Sequence, residues 1–496
     1  MARARLRRAA VAAVAALAAG AAHAAPATPC RIEGWPHEVL CGQLRRPLDP
    51  AEPSGPTIAV HYVVVPATAR QRHPDPVFVL AGGPGQSAIA LAPYSMPMFQ
   101  RLAGRRDLVF VDQRGTGRSA PLACADDPHE SLAEQGDRAR QVRRLVVDCL
   151  GALRRLPYGQ RAGDLGRFTT PIAMQDLDAV RQALGAERIN LVGASYGTRA
   201  GLDYLRQFPA RVRRAVFDGV APPDMVLPAS FSLDNQAALD ALLASCPADA
   251  GCAAAYPALR TQWATLLAGL PRTVTVAQPL TGRAETFTMT RDMLLGAVRS
   301  ALYAPVLASA LPAALAAAAD GRFEPLAGVA ALLGSKPATQ IATGMHFSVL
   351  CAEDIPRMDG VEMKAGADFG NDFADLYRRV CADWPRGTVP AAYYTMPPSP
   401  APVLLLSGGL DPATPPRHAE RVARALGPKA RHVIVPTAGH GVLGIACLRE
   451  AMQRFIDADD DASAAAVDTG CAARMPRPPA FVPLAATAPS ASGAAR

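Results

Sequence analysis

The sequence predicts an α/β fold: a doubly wound, mostly parallel sheet interrupted by an inserted, mostly helical cap domain. Three observations carry that reading. Short apolar runs of the buried-strand type recur at Val77–Leu80, Leu108–Val111, Ile189–Val192 and Val212–Phe217, and a glycine- or aspartate-containing loop follows each. Helical stretches alternate with them, as parallel strands require, because each return of the chain needs a crossover. The pattern lapses between Pro222 and Ala401, where Ala- and Leu-rich helical stretches replace the strands, and it resumes at Val403.

Residues 1–24 read as an export leader. Arg3, Arg5, Arg7 and Arg8 come first, then the apolar run Ala9–Ala19, then Ala22-His23-Ala24 as a cleavage site. The apolar run is too short to span a bilayer comfortably. The expectation is an exported protein, periplasmic or extracellular, with no membrane span after cleavage. The formal charge of +8 falls to about +4 without the leader, which holds those arginines and no acid. The remaining basic residues form no stripe with interleaved aromatics, which excludes a nucleic-acid partner. Ten cysteines fit an oxidising compartment. They fall into neighbours along the chain: Cys30 with Cys41, Cys124 with Cys149, Cys246 with Cys252, Cys351 with Cys381, and Cys447 with Cys471. Five local disulfides are expected. No Cys-x-x-Cys and no histidine pair at i, i+4 occurs, so no metal and no organic cofactor is expected.

In chain order, Cys30 to Pro53 reads as an irregular opening segment and Thr57–Val65 as the first strand. Thr169 and Thr170 precede Pro171 as a helix start does, and Ala173, Leu177, Val180 and Leu184 share one helical face. Residues 25–221 form the first part of the core. Residues 222–401 form the cap, with helices at Asn235–Leu243 and Thr261–Leu270 and a small hairpin within Thr273–Thr290. Residues 402–475 close the core, with a last strand at Val433–Val435 and a closing helix at Cys447–Ile456. Residues 476–496 are rich in Ala, Pro and Ser and are expected to be disordered.

The chemistry centres on Gly193-Ala194-Ser195-Tyr196-Gly197, between the strand Ile189–Val192 and the helix Thr198–Phe208. Strand, Gly-x-Ser-x-Gly, helix is the arrangement of a nucleophile elbow. The turn is so sharp that side chains at 193 and 197 would collide with the neighbouring strand and helix. Ser195 is then the nucleophile, and the Tyr196 N–H can face a developing oxyanion. A serine needs a base, and the base needs an acid. His440, between two glycines on a post-strand loop, is the expected base; His432 and His418 are rivals. Asp411 is the expected acid, with Asp218 as the alternative. A second oxyanion donor is expected in Gly82-Gly83-Pro84-Gly85, at the Gly83 N–H. Asp112-Gln113-Arg114 reads as structural, its two charges pairing as the chain turns.

Taken together, Gly82-Gly83-Pro84-Gly85, Asp112-Gln113-Arg114-Gly115-x-Gly117-x-Ser119, Gly193-x-Ser195-Tyr196-Gly197, Gly409-Leu410-Asp411-Pro412-x-Thr414-Pro415 and Gly439-His440-Gly441 resemble the proline iminopeptidase family of α/β-hydrolases. The resemblance is stronger to its secreted branch, with the tripeptidyl aminopeptidases, and covers about residues 30–472. It implies an exported serine aminopeptidase acting through a Ser-His-Asp triad and an acyl-enzyme, releasing N-terminal proline or short N-terminal units from peptides. A carboxylesterase acting on small esters and a non-catalytic binding protein are the alternatives. Intracellular members usually carry His before Gly-Gly-Pro-Gly, and Ala81 stands there in this chain. The family's exopeptidases hold the substrate's amino terminus with cap carboxylates; by that resemblance Glu353, then Asp354, are the candidates.

Overall fold

One nine-stranded sheet organises the described residues (27–125, 130–279, 281–334, 340–359 and 365–483) of this computed structural model. The expected leader lies outside them. The chain opens with β1 (Thr28–Cys30), β2 (Val39–Pro47), β3 (Thr57–Val65) and β4 (Val77–Leu80). Helix α1 (Ala88–Phe99), β5 (Leu108–Val111), α2 (Thr170–Ala183), β6 (Ile189–Ala194), α3 (Tyr196–Gln207) and β7 (Val212–Asp218) follow. After β7 come α4 (Phe231–Ser245), the hairpin β8 (Arg272–Ala277) and β9 (Ala284–Met289), α5 (Arg291–Leu302), α6 (Thr343–Glu353) and α7 (Asp372–Asp383). The sheet resumes with β10 (Val403–Gly408), α8 (Pro416–Leu426), β11 (Ala430–Val435) and α9 (Ala446–Asp457).

The strand order is β1-β2-β3-β5-β4-β6-β7-β10-β11. Every pairing from β5 to β11 is parallel, and β1, β2 and β3 add an antiparallel edge. From β4 the chain runs to one side for β5 and to the other for β6. The carboxyl ends of β4 and β6 therefore flank a topological switch point, where open α/β sheets bind ligands.

Successive side chains of the central strands enter two different apolar clusters. Phe78, Val109, Leu191, Phe217 and Leu405 face one side, with Leu177 and Ala200 of the helices there. Val77, Phe110, Val192, Val216 and Leu404 face the other, with Phe99, Leu448 and Phe455. Both faces of the sheet are covered, which is why these strands read as continuous apolar runs rather than alternating ones.

Three expectations need correction. Cys30–Pro53 is not irregular: β2 pairs with β3 from Leu40–Val64 to Pro47–Thr57. Its apolar pattern is broken by Gly42, which lies under the Tyr62 ring, and by charges such as Arg45 and Arg46; tertiary pairing overrides the weak local signal. The residues expected in one cap divide between two clusters. Those from Ala238 to Leu326 pack around Trp263, Leu294 and Leu315. Met345, Phe347, Leu350, Tyr377 and Trp384, on or beside α6 and α7, join the main core instead. The tail is held beyond Pro476, since the Phe481 N–H donates to the Ser309 carbonyl (2.8 Å) and the Tyr256 hydroxyl donates to the Phe481 carbonyl (2.8 Å); 484–496 lie outside the described residues.

All five expected disulfides are present, each between neighbours in sequence. No helix among the described residues is long and apolar enough to cross a membrane. Cys351–Cys381 closes a loop of 30 residues and staples α6 to α7. Replacing both cysteines by serine is expected to cost about 2–4 kcal/mol of unfolding free energy. Urea denaturation of the double variant against wild type checks it.

Candidate active site

Ser195 sits at φ 56°, ψ −126° between β6 and α3, a backbone region that costs a non-glycine residue of order 1–3 kcal/mol. The surroundings hold it there. The Ser195 N–H donates to the Asp218 carbonyl of β7 (2.9 Å). The Ser195 carbonyl accepts from the Thr198 hydroxyl (2.6 Å), which itself accepts from the Ala221 N–H (2.8 Å). The glycines are needed for space. A Cβ on Gly193 would lie 2.5 Å from the Gly197 carbonyl oxygen, and one on Gly197 would lie 2.3 Å from that of Leu80. Ser195 stays partly exposed while the residues after it are buried.

The loop after β4 passes directly beside this serine. A Cβ on Gly82 would be 3.3 Å from Ser195 Cβ, and Gly83 takes a φ of 108°. Ser87, five residues on from Gly82, donates its hydroxyl to Asp112 (2.6 Å), and Asp112 also accepts from the Ile89 and Arg118 N–H groups. The expected Asp112–Arg114 pair does not form. Arg114 turns away to Asp176 (2.8 Å) and to the Leu48 and Arg167 carbonyls, inside the core. Burial pushes the Asp112 carboxyl up, against its hydrogen bonds.

Helix α6 clamps the same loop. The Ala342 N–H donates to the Gly85 carbonyl (2.9 Å), and His346 Nδ1 lies 3.1 Å from the Pro84 carbonyl. A carbonyl only accepts, so Nδ1 carries the proton and Nε2 accepts from the Tyr377 hydroxyl (2.8 Å). Burial pushes His346 down to about 4 and Tyr377 up to about 12, so at neutral pH both are uncharged and this arrangement is intact.

His440 lies on the loop after β11. Its Nδ1 is 2.8 Å from Asp411 Oδ2. Asp411 is fixed in turn by the Ala413 and Thr414 N–H groups and the Thr414 hydroxyl, at 2.7–2.8 Å. Burial would lower His440, but the Asp411 charge and hydrogen bond, with Asp218 beyond, raise it above its ordinary 6.5. Burial would raise Asp411, and the His440 charge and the bonds it accepts bring it below the usual carboxylate range. Asp218, the alternative acid, is spent otherwise: its carboxylate accepts from the Val442 and Leu443 N–H groups at 2.8–2.9 Å. Of the rival histidines, His432 meets Ser407 (3.0 Å), and His418 is buried beside Asp234. The Ser195 hydroxyl makes no hydrogen bond to the His440 ring, a separation such pairs often show before substrate binds.

A family model described as alpha/beta hydrolase fold matches residues 75–244, and one described as TAP-like protein matches residues 366–467. The chain has the α/β-hydrolase fold. It is 28% identical over 421 residues to Serine protease Hip1 of Mycobacterium tuberculosis, covering 78% of this chain and 80% of that protein. It is 32% identical over 206 residues to Tripeptidyl aminopeptidase of Streptomyces lividans, covering 38% and 36%. A solved structure, proline iminopeptidase from Mycobacterium smegmatis, aligns at TM-score 0.40 with 18% identity, over 86% of this chain and 100% of that one.

In this hydrolase the two carboxylates expected at the substrate's amino terminus lie beneath the elbow. Glu353 and Asp354 are both fully buried. Glu353 accepts from the Thr170 N–H (2.6 Å), the Thr170 hydroxyl (2.9 Å) and the Tyr393 hydroxyl. Asp354 pairs with the equally buried Arg199 (2.8 Å) and accepts from the Leu227 N–H. With their oxygens taken by protein donors, neither offers a free face to an ammonium group. The physical reason is the division of the insertion: α6 packs into the main core, so its charges had to be paired internally.

The network has a second consequence. The Tyr196 hydroxyl is 2.7 Å from Thr170 Oγ1, which bonds Glu353. One end of α6 thus reaches the elbow and the other the Gly82–Gly85 loop. The sequence marks none of His346, Thr170, Tyr393 and Tyr303 as a site residue. Tyr303 bonds the base's own backbone: its carbonyl accepts the His440 N–H (2.8 Å) and its ring meets the His440 ring edge-on at 5.1 Å. Among the described residues no group of three His, Cys, Asp or Glu converges as metal ligands.

Burial pushes Glu353 up to about 7 from an ordinary 4.5. Between those values the unfolded chain has released the proton and the folded one retains it. Stability from this group is therefore full below pH 4.5 and is lost as pH rises to 7; at 1.36 kcal/mol per unit the loss is about 3 kcal/mol. Glu353→Gln should remove that dependence. Chemical denaturation at pH 5 and pH 8 is expected to show the variant losing less stability than wild type across the interval.

Proposed function

We propose that this hydrolase is an exported serine aminopeptidase that releases proline or short units from the amino termini of peptides. Ser195, His440 and Asp411 act as its triad. The observation that carries the reading is the His440–Asp411 pair at 2.8 Å, on a loop tied through Asp218 to the strained Ser195 turn. The names of the relatives, a serine protease and a tripeptidyl aminopeptidase, support a peptidase. The five disulfides are consistent with export.

The steps follow from the atoms present. His440 Nδ1–H is held by Asp411, which leaves Nε2 as the basic nitrogen. Ser195 Oγ adds to the scissile carbonyl carbon and its proton passes to Nε2. The negative charge that forms on the carbonyl oxygen faces the Tyr196 and Gly83 N–H groups. His440 then returns the proton to the leaving amine as the C–N bond breaks. A water, activated by the same nitrogen, hydrolyses the acyl-enzyme. Asp411, held below the usual range, stays ionised and stabilises the imidazolium.

One observation keeps a second reading in view. With Glu353 and Asp354 fully buried, nothing yet named anchors a free amino terminus, and a carboxylesterase uses the same triad. Free and N-blocked peptidyl anilides separate the two: the aminopeptidase cleaves only the free series, whereas equal rates, or faster turnover of simple esters alone, replace it with the esterase.

Ser195→Ala is expected to lower turnover by several orders of magnitude without unfolding the protein. A variant keeping more than about a tenth of wild-type activity would remove Ser195 from the triad. Because the base must be neutral and His440 is raised above 6.5, the acid limb of kcat/KM should have its midpoint above that value. Asp411→Asn should move the limb downward and lower turnover by roughly 10⁴. If Asp218→Asn produces that pattern instead, the acid is Asp218.

A further inference from the structure

A cavity of about 690 Å³ lies in the insertion between α4, the β8–β9 hairpin, α5 and α7, lined by Phe231, Asn235, Met293, Arg299, Ser300 and Phe373 among others. It is of ligand-binding size. Two of its walls lead to the candidate active site. On α5, Arg299 is one helical turn before Tyr303, whose ring and carbonyl hold His440. On α7, Phe373 is one turn before Tyr377, whose hydroxyl bonds His346 and so the Pro84 carbonyl. Residues four apart lie on one helical face about 6 Å from each other. The Arg299 charge reaches both Tyr303 and Tyr377 and opposes the effect of burial on each.

The charges on the wall are uneven. Among the described lining residues they are Arg138, Asp292 and Arg299. Arg138 and Asp292 pair with each other at 2.6 Å. Arg299 has no carboxylate partner among the described residues; its guanidinium lies over the Phe373 ring, 4.1 Å from the centroid. A ring face attracts a cation but leaves its N–H edge free to meet an anion in the plane. Asn235 lines the same cavity at 3% exposure, with its Oδ1 accepting no hydrogen bond. A half-buried guanidinium with a free edge and a buried acceptor awaiting a donor describe a site for a ligand with a carboxylate and an N–H group.

We propose that this cavity is the substrate pocket and that Arg299 selects in it for a substrate bearing a carboxylate, with Asn235 Oδ1 accepting a substrate N–H. The proposal rests on the serine-hydrolase reading of Ser195. The carboxylate is either the free C-terminus of a short peptide or the side chain of an acidic residue, and the chemistry at Arg299 is the same for both.

The test uses the full protein and matched substrates. One arm compares free-amine tetrapeptides ending in a carboxylate with their C-terminal amides. The other compares C-amidated peptides carrying Glu with the same peptides carrying Gln, the residue being moved through each position. In at least one arm the charged member is expected to be favoured in kcat/KM by roughly 10- to 100-fold, the range for a charge-assisted hydrogen bond; the arm that responds identifies the source. Arg299→Gln should bring that ratio to within about twofold, and Arg299→Lys should retain part of it. No difference between matched pairs in wild type overturns the proposal, as does a ratio that survives in Arg299→Gln. Titration calorimetry of Ser195→Ala with the same pairs separates the two layers. If the charged member binds more tightly but wild type cleaves neither, the carboxylate pocket stands and the aminopeptidase reading fails; if wild type cleaves both equally, the reverse holds.

Discussion

Asp218 connects the two halves of the candidate site. Its carbonyl accepts the Ser195 N–H, and its carboxylate accepts the N–H groups of Val442 and Leu443, just past His440. No cation pairs with this carboxylate among the described residues, and burial pushes it up to about 6. Its oxygens are satisfied by backbone donors alone, which is sufficient for a buried carboxylate only when the donors are fixed. The strained turn and the base's loop are thereby set against each other by one residue at the end of β7, and the sheet order that places β7 between β6 and β10 makes this possible.

A second fixed element is α6. Through His346 it holds the Gly82–Gly85 loop, and through Glu353 and Thr170 it holds the Tyr196 side chain. The two N–H groups proposed for the oxyanion therefore lie on segments tied to one helix. That helix is buried from Gly344 to Glu353 apart from the half-buried His346, tied by Cys351–Cys381 to α7 and by the Trp384 indole N–H to Ser348 (3.1 Å). Oxyanion donors contribute most when they need no reorganisation during reaction, and a helix packed on all sides is a direct way to secure that.

Much of this was legible in the sequence for identifiable reasons. The central strands announced themselves because burial on both faces leaves uninterrupted apolar runs, and Ser195, Asp411 and His440 because each follows such a run in a glycine- or proline-marked loop. Neighbour spacing was enough for the disulfides because each closes a local loop. What stayed hidden depended on tertiary context. β2, second from the sheet's antiparallel edge, has its apolar pattern broken by Gly42 and by charge. Glu353 and Asp354 were expected at the pocket only by resemblance to exopeptidases that hold an amino terminus with cap carboxylates. Their partners Thr170 and Arg199 lie 183 and 155 positions away, and no local pattern records such a pairing. His346 and Tyr303 act through a ring nitrogen and a backbone carbonyl, and neither contact leaves a sequence signature.

The insertion is thus two things at once. Its α6–α7 portion belongs to the main core and supports the reacting groups, whereas the portion around α4, the hairpin and α5 has an apolar cluster of its own. The second portion is not an independent lid either. Tyr303, immediately after α5, provides the acceptor for the His440 N–H, and Gly439 lies so close that a Cβ there would be 2.5 Å from the same carbonyl oxygen. A movement of α5 away from the loop would leave that N–H unpaired, at a cost of about 1–3 kcal/mol if it stayed buried. The helix that lines the cavity is therefore the helix that positions the base. An occupant of the cavity would touch α5, and the residue just after α5 holds the His440 loop through its carbonyl, so in the proposed reading recognition and base placement are linked by a single backbone hydrogen bond.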